Sequence, residues 1–132
     1  MRTKPLILVV DDEGIFLEII STKLNASGFD VALAHNETEA LSQSEKLMPD
    51  LILMDIRMPG VSGTDAALAV RQRPTTKNLK IAFLTNLKEP WPTVPVDREK
   101  LAKALGMEDF IEKTDNLDSI VKKVREILSR KP

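Results

Sequence analysis

A chain of 132 residues has room for one domain with a sizeable core. Its 42% apolar and 30% charged residues are those of a globular protein, and a net charge of −1 with mixed signs makes no electrostatic case for nucleic acid or a membrane surface. With no cysteine, disulfides and thiolate metal sites are excluded.

In chain order, Leu6 to Val10 is a continuous apolar run that reads as a strand buried on both faces. It is too short for a signal peptide's apolar region or a membrane span, so a cytoplasmic protein is expected. The run closes in Asp11-Asp12-Glu13-Gly14. From Ile15 the period becomes helical, with Phe16, Ile19, Ile20 and Leu24 on one face and Gly28 as the stop. A second strand is expected over Phe29 to Ala34. Asn36 with Glu39 then resembles a capping box for a helix that runs to about Leu47, ahead of Pro49.

Leu51 to Met54 is a second buried run, and it ends abruptly in the carboxylate of Asp55. The chain turns through Pro59, Gly60 and Gly63. Ser62 and Asp65 offer a cap for a helix through Arg71, and Leu79 to Thr85 reads as a fourth strand. Lys88 to Val96 holds Pro90, Pro92 and Pro95 around Trp91, which rules out helix and central strand there. A helix is expected from Asp97 to Ala104, a strand from Asp109 to Glu112, and a last helix capped by Asn116. Its apolar residues Leu117, Ile120, Val121, Val124, Ile127 and Leu128 fall at helical spacing.

Five strands alternating with five helices predict a single three-layer α/β domain, a parallel sheet covered on both faces. In such sheets ligands bind at the C-terminal ends of the strands. Asp11, Asp12, Asp55, Thr85 and Lys113 each stand at such an end. Alone, each has an ordinary reading: an acidic helix cap, a turn residue, a β-branched strand end, a solvated lysine. Together they bring an acidic pair, a further carboxylate, a hydroxyl and an ammonium to one edge. Crowded carboxylates repel unless a cation neutralises them, and oxygen donors without sulfur or imidazole suit a hard ion such as Mg²⁺. The set matches the needs of phosphoryl transfer to an aspartate.

The runs Val9-Val10-Asp11-Asp12-Glu13 and Pro49 to Gly60, with Thr85 and Lys113, resemble a response-regulator receiver domain of two-component signalling. The resemblance extends over nearly the whole chain and treats residues 1–132 as a single receiver without an output domain. It implies a flavodoxin-like fold with strand order 2-1-3-4-5. It also implies that Asp55 accepts a phosphoryl group from a histidine kinase or phosphotransfer protein, the chain catalysing only its own phosphorylation and dephosphorylation. Asp11, Asp12, Asp55 and the backbone carbonyl of Arg57 would hold Mg²⁺. Lys113 and Thr85 would contact the phosphoryl group, with Thr85 and Phe110 as the switch pair. The surface of the 97–104 helix, fifth strand and last helix would then change its affinity for a protein effector or a second copy of the chain.

Three features depart from the family pattern. Thr114 follows Lys113 where a cis-proline is usual, so a trans bond is expected there. Asn86 replaces a small residue after Thr85, and the Pro90–Pro95 segment lengthens the path to Lys113. These motivate a second reading, a degenerate receiver that acts as a phosphorylation-independent interaction module. Dependence of partner binding on phosphorylation and Mg²⁺ separates the two. An aspartate-nucleophile phosphatase would carry an acid where Arg57 stands, and a flavodoxin's phosphate loop would not carry Asp11-Asp12-Glu13. His35, the only histidine, reads as an exposed loop residue.

Overall fold

The computed structural model describes residues 3–55, 57–58, 61–85, 108–113 and 116–130. Their elements are β1 (Leu6–Val10), α1 (Gly14–Ala26), β2 (Asp30–Ala34), α2 (Glu37–Leu47), β3 (Leu51–Asp55), α3 (Gly63–Gln72), β4 (Ile81–Thr85), β5 (Asp109–Glu112) and α4 (Leu117–Ser129). A short antiparallel ribbon between β3 and α3 pairs Arg57 with Ser62 and Met58 with Val61. The five strands form one parallel sheet in the order β2-β1-β3-β4-β5, the flavodoxin-like order. The helix expected over 97–104, Asn86, Trp91, the Pro90–Pro95 segment and Thr114 lie outside the described residues.

Both apolar runs became central strands because neither side of them meets water. Every residue of β1, β3 and β4 is buried. Alternate side chains feed two cores. Leu8, Val10, Ile52, Met54, Ile81 and Phe83 meet Ala40 of α2 and Ala66, Ala67 and Val70 of α3. On the other side, Ile7, Val9, Leu51, Leu53, Ala82 and Leu84 meet Leu17, Ile20 and Leu24 of α1 and Ile120, Val124 and Ile127 of α4.

Helix boundaries follow local chemistry. The Asn36 side chain accepts from the Glu39 backbone N–H at 2.9 Å, and its amide reaches the Glu39 carboxylate at 2.8 Å. This is the expected cap, with the return bond made side chain to side chain. α2 stops at Met48, whose φ of 48° is left-handed, directly before Pro49. Gly28, at φ 96°, makes the turn out of α1 that a residue with a side chain resists. The Asn116 side chain accepts from the Asp118 N–H at 2.7 Å and opens α4.

The expected inner face of α1 needs one correction. Leu17, not Ile19, shares the buried stripe with Ile20 and Leu24, and Ile19 is 47% exposed. At about 100° per residue Ile19 lies roughly 200° round from Leu17, which turns it to solvent. Two strands are also shorter than expected: Phe29 packs into the core just ahead of β2, and β4 begins at Ile81 rather than Leu79.

The register that sets up the site is fastened at the opposite edge of the sheet. Asp50, just before β3, accepts the Leu6 N–H on its carboxylate at 2.7 Å and donates its own N–H to the Leu6 carbonyl at 2.8 Å. In the same register Val10 pairs with Met54, so Asp11 and Asp55 follow at neighbouring positions.

Candidate functional site

Asp11 leaves β1 fully buried, and Asp55 ends β3 nearly so, whereas Asp12 is exposed. One carboxylate oxygen of each lies within 4.8 Å of the others. Asp11 Oδ1 accepts the Glu13 N–H at 2.9 Å, and this turn carries the chain from β1 into α1. Glu13 is the N-cap residue of α1, yet its side chain makes no capping bond. The Glu13 side chain is thus not a hydrogen-bonded cap of α1.

Thr85 ends β4, buried, beside Glu112 of β5. Its carbonyl accepts the Lys113 N–H at 2.8 Å, which brings the residue after β5 to the same edge as Asp55. The buried Lys113 ammonium lies 2.7 Å from Asp11 Oδ2, 2.6 Å from Glu13 Oε1 and 3.7 Å from Asp55 Oδ2. It also stands over the Phe16 ring, 4.6 Å from the centroid. Burial alone would lower the lysine's pKa, but Asp11, Glu13 and Asp55 outweigh it and hold the ammonium above its ordinary value.

Asp11 Oδ2 is buried and, although Lys113 is close, receives no hydrogen bond of acceptable geometry. Among the described side chains, four carboxylates and one ammonium gather here. A buried carboxylate oxygen with only an ammonium beside it, among described side chains that carry more negative than positive charge and offer only oxygen donors, fits a hard divalent cation. Among the described residues the three aspartates are the only such group of acidic or imidazole side chains.

Of the other expected site residues, Arg57 has its backbone in the ribbon that begins just after β3, paired with Ser62. Phe110 occupies the β5 position opposite Phe83. Neither side chain is among those described. His35 is exposed and paired with Glu39 at 3.2 Å, and it is not part of the aspartate group. The sequence reading missed Glu13 and Phe16 as partners of Lys113. The available signal was position: both lie in the first turn after the acidic pair, on the side of α1 that starts at the site.

The response regulator receiver domain family model matches residues 7–125. The chain is 32% identical over 126 residues to the phosphate regulon transcriptional regulatory protein PhoB of Rhizobium meliloti, covering 96% of this chain and 53% of that protein. It is 32% identical over 124 residues to the DNA-binding response regulator MtrA of Mycolicibacterium paratuberculosis, covering 94% and 51%. It thus spans about half the length of these curated relatives. Among solved structures, the chemotaxis protein CheY4 of Vibrio cholerae superposes with a TM-score of 0.82 at 26% identity, over 95% of this chain and 99% of that one. A CheY-like receiver domain protein from Methanospirillum hungatei gives 0.78 at 25% identity, over 96% and 94%. No described helix is long and apolar enough to cross a membrane. The matched span, the sheet order and the acidic edge agree: the chain belongs to the response regulator receiver domain family.

Proposed function

We propose that this chain is a phosphoacceptor receiver in which Asp55 takes a phosphoryl group from a phosphohistidine of a kinase or phosphotransfer protein. The observation that carries the reading is the convergence at one sheet edge of Asp55, the Asp11–Asp12 pair, the Thr85 strand end and the Lys113 ammonium. An Asp55 carboxylate oxygen attacks phosphorus, the new P–O bond forms as the P–N bond breaks, and the leaving imidazole keeps that electron pair and takes up a proton.

Asp11, Asp12, Asp55 and the Arg57 backbone carbonyl would hold Mg²⁺. When bound, that ion supplies charge neutralisation for the transferring oxygens. Lys113 and the Thr85 hydroxyl bind the remaining phosphoryl oxygens. The acyl phosphate adds about −1.5 to −2 charge, as other phosphorylations do, at the end of a buried strand. Thr85 is drawn toward it, Phe110 turns into the vacated space, and the surface that includes β5 and α4 changes its affinity for an effector or a second copy.

Intact-mass spectrometry after incubation with a small-molecule phosphodonor tests this. A single phosphoryl adduct is expected that requires Mg²⁺ and is lost in Asp55→Asn. A folded wild type that takes up nothing with Mg²⁺ in excess overturns the reading.

A further inference from the structure

The Lys113 ammonium is not centred on the carboxylate it is proposed to serve. Its hydrogen bond goes to Glu13 Oε1 at 2.6 Å, while Asp55 Oδ2 lies 3.7 Å away. Glu13 and Phe16 both belong to the start of α1, so an exposed carboxylate and an aromatic face hold the ammonium from the same side. Asp11 Oδ2 is a second near carboxylate, an ion-pair partner 2.7 Å from the ammonium, but only Glu13 reaches it from the α1 side. Glu13 is itself fixed through its N–H to Asp11 Oδ1, which ties the lysine's position to the acidic pair.

We propose that Glu13 is a positioning residue that holds Lys113 off Asp55, so that the acidic cluster stays open to its cation until a phosphoryl group draws the ammonium across. This deepens the phosphoacceptor reading and rests on it for its purpose, though not for its geometry. In Glu13→Gln the ammonium loses its ionic partner in α1 and closes on Asp55. At an effective dielectric of about 20, shortening that separation to hydrogen-bond length strengthens the pair by about tenfold in an equilibrium constant. A divalent cation then competes with a tighter internal ion pair.

Two measurements test the proposal. Calorimetric Mg²⁺ titration of wild type, Glu13→Gln, Lys113→Met and the double variant forms a cycle. The expected result is a Mg²⁺ affinity roughly three- to tenfold weaker in Glu13→Gln, with most of that loss absent when Lys113 is already Met. An equal loss in both backgrounds would mean that Glu13 acts only as a nearby charge, and it overturns the proposal, as does no loss at all. A crystal structure of metal-free Glu13→Gln is the independent arm: Lys113 Nζ is expected within hydrogen-bond distance of Asp55, and an unchanged separation overturns the idea. Absence of Mg²⁺ binding or phosphorylation in the wild type defeats the phosphoacceptor reading instead, and the crystal structure still decides the role of Glu13.

Discussion

Lys113 joins the parts of the site because its backbone and its side chain answer to different elements. The N–H is bonded to the Thr85 carbonyl of β4, while the ammonium lies among Asp11, Glu13 and Asp55. Its pKa is raised in the folded protein, so the stability it contributes is fully present below its ordinary value of 10.5 and is lost as pH climbs through the folded value. In metal-free protein the advantage of wild type over Lys113→Met in urea midpoint is therefore expected to be level through neutral pH and to shrink in the alkaline range above 10.5. An advantage that persists unchanged well into that range contradicts this assignment. Comparing the two proteins at each pH cancels the titration of the other lysines. Glu13, with its side chain 53% exposed, is screened by solvent and cannot supply most of this stability. Its proposed importance lies in where it places the ammonium.

At the scale of elements, the two edges of the sheet divide the work. The C-terminal edge gathers carboxylates that repel one another, and the N-terminal edge holds the contacts that keep the strands in register. Asp50 is one such contact: a charge-assisted hydrogen bond of this type contributes about 1.5–3 kcal/mol. Asp50→Ala is expected to lower unfolding free energy by about that amount while Asp55 still takes up a phosphoryl group, since the change lies a strand's length from the site. Loss of phosphorylation in a variant that remains folded would show that the register depends on Asp50 alone. Lys80 does a comparable job for α4. Its ammonium reaches the Ile127 carbonyl at 3.0 Å, which also accepts the Arg130 N–H, and so places a cation at the C-terminal end of α4 and pins the helix beside β4.

For the whole molecule, the proposed cation binding would be linked to folding, because the acidic cluster exists only when β1 and β3 are paired. Mg²⁺ that binds the folded state alone should stabilise it by about 2.7 kcal/mol at about a hundredfold its Kd. Urea unfolding across a Mg²⁺ series is expected to show the midpoint rising with concentration, and rising less in Asp12→Asn. A midpoint indifferent to Mg²⁺ would remove the cation from the site. The sequence by itself determined the layers, while the strand order was what the family resemblance implied. Unbroken apolar runs at Leu6–Val10 and Leu51–Met54 leave no face for water, and Asn36 and Asn116 mark helix starts through bonds that span two or three residues. It also placed Asp11, Asp12, Asp55, Thr85 and Lys113 at strand ends, hence at one edge of any parallel sheet. Only the tertiary structure decided which side of α1 faces the sheet, that Asp50 clasps Leu6, and that Glu13 and Phe16 receive an ammonium about a hundred residues away. Helical periodicity and caps are short-range properties written in adjacent residues. An ion pair between β1's exit and β5's exit depends on register and crossing geometry, which exist only once the sheet has formed.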